Sequence, residues 1–211
     1  MQRSFGNFGF GDLPPATKSI IILNVLFYFL KESAIQALKM PDINGYLALH
    51  HFNSPYFHFW QICTHLFTHG SFMHVFFNMI VLYFTGDWLE REWGTKKFLW
   101  FYTICGLGAA ALHFSLLMNI ETSVIGASGA TAGLFMAFGF LYPNVPLYIY
   151  GLIPVRAKYL VAIYFAIDLY MGLNIDDKVA HFAHLGGMFT ALLILLFWKR
   201  KGLIYKNERF F

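Results

Sequence analysis

Residues 126–133 read Gly-Ala-Ser-Gly-Ala-Thr-Ala-Gly and open a short apolar run that ends near Tyr142. As a helix, residues 128–142 would be about 22 Å long, whereas the hydrocarbon core of a bilayer is about 30 Å thick. If this helix ends at one membrane face, Ser128 at its start lies roughly 8–10 Å below the other face. Ser128 is therefore either a small residue in a helix contact or a buried nucleophile, and the rest of the sequence distinguishes the two.

The composition is that of a membrane protein. The 211 residues are 58% apolar and only 12% charged, whereas soluble domains carry about 25% charged residues. The net charge of +4 does not indicate nucleic-acid binding, because the basic residues fall in short clusters between apolar runs, as in membrane loops. Cys63 and Cys105 have neither a metal-binding nor a disulfide spacing.

Six apolar segments predict an all-α polytopic membrane protein with six transmembrane helices around a short, recessed fourth helix. The segments are 18–38, 71–89, 97–118, 128–142, 158–173 and 179–198. We expect a membrane domain over 18–198, between a tail at 1–17 and a basic tail at 199–211. The aromatic, histidine-rich connection 39–69 is predicted to be a loop in the membrane interface. A cleaved signal peptide over the first segment is the alternative.

The basic residues predict the orientation of these helices. Of the 15 Lys and Arg residues, only Lys31, Lys39 and Lys178 fall on one side of the predicted membrane. The positive-inside rule then places both termini in the cytoplasm and the start of the fourth helix on the outer side. An odd number of helices would put the basic C-terminal tail outside, which disfavours the signal peptide. We see no organellar targeting peptide and expect a bacterial plasma membrane.

The chain before Gly126 must enter the membrane as non-helical backbone if the fourth helix begins below the surface. Such backbone is tolerated only where protein or a water-filled cavity surrounds it. The short fourth helix therefore predicts a recessed, hydrated cavity around Ser128.

A serine hydroxyl needs a base to act as a nucleophile, and the sixth segment opens with His181 and His184 on the outer side. Small residues let helices approach closely in lipid. They form one stripe on each of two helices: Gly187 and Ala191 on the sixth, Gly129 and Gly133 on the fourth. Because His184 shares the face of its stripe and His181 aligns with it less well, we predict that His184 is the base that meets Ser128.

His74 and Asn78 supply candidate hydrogen-bond donors. They lie four residues apart, on one face of the second predicted helix and at the depth of Ser128. Acyl transfer needs donors where an oxyanion forms. A histidine N–H, an asparagine amide and the backbone N–H of Ser128 would provide them.

Three motifs together resemble the rhomboid intramembrane serine proteases, over about residues 60–197. They are His74-x-x-x-Asn78, Gly126-Ala-Ser128-Gly129 and Ala183-His184-Leu-Gly-Gly187. The resemblance implies that Ser128 is the nucleophile and His184 the general base, with His74, Asn78 and the Ser128 amide as the oxyanion hole. It also implies substrates that are transmembrane segments of single-pass proteins in the lipid bilayer, and no metal or cofactor.

Further features fit the same family. The connection 39–69 looks like its membrane-embedded first loop, in which His69 matches a structural histidine. Glu90 and Gly94 resemble its cytoplasmic Glu-x-x-x-Gly turn. Trp60-Gln61 stands where many bacterial members have Trp-Arg, an arginine with a structural role, so we expect no loss of activity.

Two positions raise the question of what holds His184. The family often has an aromatic residue four positions after its serine, where this chain has Ala132. We expect Phe135 or an aromatic side chain of the fifth helix to substitute. The only carboxylates near the outer side of the sixth segment are expected to be Asp176 and Asp177 in a loop, so no acid completes the Ser–His pair.

Two other functions remain open. The pairs His65-x-x-x-His69 and His181-x-x-His184 resemble histidine boxes of membrane metal enzymes, although no carboxylate shares a box. A catalytically inactive rhomboid-like protein that binds transmembrane clients is the other alternative.

Overall fold

The computed structural model describes residues 9–39, 43–117, 122–149, 152–174 and 179–204, and this part of the chain is mostly helical. The helices are α1 (Pro15–Leu38), α2 (Ile43–Leu47), α3 (Gln61–Thr64), α4 (Phe72–Trp93), α5 (Thr95–Leu117), α6 (Ser128–Leu141), α7 (Ala157–Asn174) and α8 (His181–Arg200). The strands are β1 (Leu49–His50), β2 (Ser123–Val124), β3 (Pro146–Ile149) and β4 (Ile153–Arg156).

Four of the described helices, α1, α4, α5 and α8, are long and apolar enough to cross a membrane. Helix α6 is also apolar but has only 14 residues. Large apolar side chains such as Leu30, Phe77 and Leu193 are exposed on the long helices. Exposed apolar faces on helices of this length are those of a multi-pass membrane protein.

Helix α6 lies at the centre of the helix packing. It contacts α4, α5, α7 and α8. Most of its side chains are buried, including Ala130, Leu134 and Phe138. A helix that is apolar on all sides and packs on all sides is typical of the interior of a bundle. Ser128 is the first residue of this central helix.

The fold is mostly helical, as the sequence predicts, and four short strands that the sequence did not predict accompany the helices. Strands β1 and β2 pair antiparallel, with Leu49 opposite Val124 and His50 opposite Ser123. Strands β3 and β4 form a second antiparallel pair between α6 and α7. Strands of two to four residues are too short to show a recognisable alternation. The connection 39–69 also contains α2, β1 and α3, and β1 ties it to the chain that leads into α6.

Lys31 fastens this connection to α1. Its side chain is buried, and Nζ donates hydrogen bonds to Asn44 Oδ1 and to the carbonyl oxygen of His69, both at 2.6 Å. Nζ also lies 2.9 Å from a carboxylate oxygen of Glu32. Because a buried ammonium group requires such partners, Lys31 fixes the position of His69 relative to α1.

At the opposite end of the bundle, the buried Glu90 carboxylate joins α1, α4 and α5. It accepts hydrogen bonds from the backbone N–H groups of Ala16 (2.9 Å) and Thr17 (2.7 Å). It also accepts from the hydroxyls of Thr17 and Thr95, both at 2.8 Å. Gly94, at φ +79°, ends α4 and lets the chain turn directly into α5. Glu90 and Gly94 therefore form a tight helical connection that satisfies the first N–H groups of α1.

We predict that Glu90→Gln lowers the free energy of unfolding by about 2–4 kcal/mol, because an amide nitrogen would face one of these buried donors. Thermal unfolding in detergent measures the change. The control is Glu92→Gln, a nearby exposed position, which we expect to change stability by less than about 0.5 kcal/mol. Equal stability of the Glu90→Gln variant and the wild type would contradict the assigned role of this carboxylate.

Candidate active site

The turn into α6 is held by two histidines of the connection 39–69. The N–H of Gly126 donates to the carbonyl oxygen of His65 at 2.8 Å, and the N–H of Ala127 donates to His69 Nε2 at 3.4 Å. His69 Nδ1 lies 3.2 Å from the carbonyl oxygen of Phe67. Burial lowers the pKa of His69 to about 3, so the ring is neutral, with Nδ1 as donor and Nε2 as acceptor. These contacts fix the position of Ser128.

Both the backbone conformation at position 126 and the neighbouring His74 ring require a glycine there. Its φ is +103°, which side-chain-bearing residues rarely adopt. A Cβ at this position would lie 2.6 Å from His74 Nε2. The glycine therefore leaves the room that the His74 ring needs beside the start of α6.

The predicted small-residue stripes meet between α6 and α8. A Cβ on Gly187 would lie 1.9 Å from the carbonyl oxygen of Gly129, and a Cβ on Gly133 would lie 3.1 Å from that of Gly187. Ala191, one turn further along α8, is fully buried. We call these four residues the glycine seam. A side chain at Gly187 would collide with the backbone of α6. The glycine therefore lets the backbones of α6 and α8 approach closely, and their contact sets the separation of the two helices near Ser128.

A cavity of about 460 Å³ lies between α4, α6, α7 and α8. Ser128, His184, His74 and Asn78 all line it. Its apolar walls come mainly from Met73, Phe77, Val81, Ala132, Phe135 and Val179. The structure thus brings all four predicted polar residues to one largely apolar cavity large enough for a peptide segment.

The side-chain amide of Asn78 is hydrogen-bonded through its oxygen but not through its nitrogen. Its Oδ1 accepts a hydrogen bond from Thr131 Oγ1 at 3.1 Å. Its Nδ2 is buried and has no hydrogen-bond partner in the described part of the chain. An unpaired buried donor typically destabilises a fold by about 1–3 kcal/mol. Such a group next to Ser128 is suited to binding an oxygen that arrives with a ligand.

His74 completes this side of the cavity. Its backbone N–H donates to the Ser71 hydroxyl, which caps α4. Its ring packs edge-on against His69, with 4.9 Å between the ring centroids. The cap and the ring contact hold His74 beside Gly126, at the entrance to α6.

The ring of His184 stacks on Tyr164 of α7, with 6.1 Å between centroids and 30° between planes. Phe135 packs edge-on against the Tyr164 ring, with 5.8 Å between the ring centroids. The sequence predicted that Phe135 or an aromatic residue of the fifth predicted segment, which is α7, would replace the aromatic residue missing at Ala132. Tyr164 of α7 confirms this prediction.

Asp168 of α7 corrects the prediction that no acid lies near His184. Its buried carboxylate lies 2.6 Å from His181 Nδ1, and both of its oxygens lie 3.2 Å from His184 Nδ1. Asp176 and Asp177, the carboxylates considered from the sequence, lie outside the described residues. Asp168 was missed because it is sixteen residues from His184, inside an apolar run. An acid in such a run is itself a signal of function.

Asp168, His181 and His184 could also hold a metal ion, since their ligating atoms lie within 4.8 Å of one another. In the described residues this is the one such group of three or more. His65, from the other predicted histidine pair, instead places Nδ1 2.7 Å from the carbonyl oxygen of Gln61. The pairing of two histidine boxes expected of a membrane metal enzyme is not formed.

A family model described as the rhomboid domain matches residues 56–201. The chain belongs to the rhomboid family. The resemblance inferred from the three motifs is thereby confirmed. Ser128 and His184 both lie in the matched region.

Two similar proteins illustrate the breadth of the family. RHOMBOID-like protein 1 of Arabidopsis thaliana is 33% identical over 152 residues, which are 71% of this chain and 37% of that protein. Rhomboid protease GlpG of Yersinia enterocolitica is 27% identical over 191 residues, which are 87% of this chain and 62% of that protein. This chain therefore matches about a third to three-fifths of the length of these rhomboid relatives.

We predict that Gly187→Ala lowers the free energy of unfolding by about 1–3 kcal/mol, because the added methyl group would push α8 away from the α6 backbone. Thermal unfolding of the purified variant in detergent measures the effect. Gly11→Ala serves as control, since a Cβ there meets nothing within 4 Å. Wild-type stability of Gly187→Ala would show that the seam does not set the separation of α6 and α8.

Proposed function

We propose that this chain is an intramembrane serine endopeptidase that uses Ser128 as nucleophile and His184 as general base. The observation that carries the proposal is the shared cavity, in which both side chains lie beside an unpaired, buried Asn78 donor. A small-residue helix contact alone would require neither that donor nor a cavity. Family membership and the printed name of the Yersinia relative, a rhomboid protease, support the same conclusion.

The proposed topology has six transmembrane helices, α1, α4, α5, α6, α7 and α8, with both termini in the cytoplasm of a cell membrane. Helix α6 has 14 residues, or about 21 Å, and cannot span a core of about 30 Å. With its C-terminal end at the cytoplasmic face, Ser128 lies below the outer surface. Water then reaches it through the cavity while the rest of the helix remains in the apolar bundle.

The reaction follows from the side chains at the site. As Ser128 Oγ attacks a peptide carbonyl carbon, its proton passes to His184 Nε2. The carbonyl oxygen becomes an oxyanion that accepts hydrogen bonds from Asn78 Nδ2, His74 Nε2–H and the Ser128 backbone N–H. The protonated His184 then gives its proton to the leaving amine. Water, deprotonated by the same ring, hydrolyses the acyl-enzyme and returns Ser128.

The proposed substrates are transmembrane segments of single-pass membrane proteins. The cavity lies between membrane helices and its walls are mainly apolar, so an apolar segment would enter it from lipid. An intact helix keeps its carbonyl groups hydrogen-bonded, and a nucleophile cannot reach them. We therefore expect cleavage where small or helix-weakening residues let the segment unfold near the outer surface.

We predict that Ser128→Ala abolishes cleavage of a model transmembrane substrate by the purified protein, because it removes the attacking oxygen. It should also abolish covalent labelling by a fluorophosphonate. Ser115→Ala, an exposed serine on α5, is the matched control and should retain full activity and labelling. Persistent cleavage by Ser128→Ala would overturn the proposal.

The same assay separates the two alternatives. A folded wild-type protein that neither cleaves nor takes up the fluorophosphonate would be an inactive binder of transmembrane clients. Loss of cleavage on treatment with a chelator would indicate a metal at Asp168, His181 and His184. We expect a chelator to leave the rate unchanged.

We predict that Asn78→Ala lowers kcat by about 10²–10³, with little change in KM, since the loss of one oxyanion donor acts mainly on the transition state. Steady-state cleavage kinetics measure both constants. The control is Asn53→Ala, an exposed residue of the connection 39–69, which we expect to match the wild type. A higher KM with an unchanged kcat would show that Asn78 binds substrate rather than the oxyanion.

A further inference from the structure

Asp168 is a buried acid for which the two-residue mechanism has no use. It lies on α7, a helix with few buried side chains, and is itself only 3% exposed. A carboxylate at such a position is strongly unfavourable unless partners compensate it. Its partners are the two histidines at the start of α8.

We propose that Asp168 is a positioning residue that sets the tautomer and orientation of His184, so that the site works as a serine–histidine–aspartate relay built from α6, α8 and α7. The proposal rests on the roles given above to Ser128 and His184. It adds the residue that was expected to be absent.

The proton positions follow from the contacts. An ionised carboxylate can only accept hydrogen bonds. Because both Asp168 oxygens lie 3.2 Å from His184 Nδ1, that nitrogen must carry the hydrogen. The neutral ring then has its lone pair on Nε2, the nitrogen that must take the proton from Ser128. The reverse tautomer would present an N–H to the serine and could not act as a base.

His181 holds the carboxylate in place, and Tyr164 holds the ring of His184. His181 Nδ1 is 2.6 Å from Oδ1, a shorter contact than that of His184. Tyr164, one turn before Asp168 on α7, stacks its ring on His184. The carboxylate therefore cannot rotate freely away from His184. His181 thus supports the position of Asp168 and does not itself contact the reacting atoms.

A merely structural role, in which Asp168 only joins α7 to α8, predicts a different result from a positioning role. The first would alter stability and substrate entry, whereas the second would alter the chemical step. The experiment must therefore separate kcat from KM and both from folding.

The test uses Asp168→Asn, which keeps the size of the side chain but presents an N–H group that can donate to His184 Nδ1. We expect kcat to fall about a hundredfold with KM within threefold, less than the roughly 10⁴-fold loss in a soluble triad, because Tyr164 still holds the ring. Asp168→Glu should recover part of this loss and Asp168→Leu none. His181→Ala should retain substantial activity.

Asp87→Asn is the matched control, since Asp87 is an equally buried carboxylate on α4 that pairs with Arg91. We expect it to leave kcat within twofold of the wild type. A folded Asp168→Asn variant with wild-type kcat, or with a change confined to KM, would overturn the proposal.

A measurement on the wild type is independent of whether the variants fold. In protein with ¹⁵N-labelled histidine, the ring-nitrogen shifts of His184, assigned by comparison with His184→Gln, should show a protonated Nδ1 and a bare Nε2 where the ring is neutral. A protonated Nε2 with a bare Nδ1 would overturn the role of Asp168. This readout does not require cleavage, so it is distinct from the Ser128→Ala test of the proposed function.

Discussion

The close approach of α6 and α8 is the constraint on which the rest of the structure depends. Two helix backbones touch where the Gly187 Cα faces the carbonyl oxygen of Gly129. In lipid there is no hydrophobic force that drives apolar helices together, so close packing of small residues provides much of the attraction. Ser128 begins one of these helices and His184 lies one turn before Gly187 on the other. The seam therefore determines the position of Ser128 relative to His184.

Two sets of buried polar groups lie at opposite ends of the bundle. At one end the Glu90 carboxylate receives N–H and O–H donors from α1 and α5. At the other, Asp168 accepts from histidines, and Asn78 Nδ2 has no partner in the described residues. The contrast separates their roles. A group whose partners are all in place stabilises the fold, whereas an unpaired donor that lines the cavity can bind an oxygen of a ligand.

The sequence alone predicted the features that depend on local spacing. The stripes of Gly129 and Gly187 and the four-residue step from His74 to Asn78 are visible in the printed order. The observed helices also lie close to the six predicted segments, with α4 ending four residues later than expected at Trp93. The family followed from the combination of three motifs.

Other features depend on contacts between distant parts of the chain. Asp168 reaches His184 only because α7 packs beside α8, and no spacing rule links a residue in an apolar run to one sixteen positions later. The pairing of β1 with β2 joins segments more than 70 residues apart, and two-residue strands leave no pattern. In each case the tertiary packing, rather than a local preference, decides the partner.

The central claim is that one cavity holds a nucleophile, its base and the donors for an oxyanion. A structure of the protein after reaction with a fluorophosphonate tests this most directly. We expect phosphorus bonded to Ser128 Oγ, with one phosphoryl oxygen within hydrogen-bond distance of Asn78 Nδ2 and the ring of His184 beside the adduct. An adduct on another residue, or a phosphoryl oxygen directed away from Asn78, would contradict it.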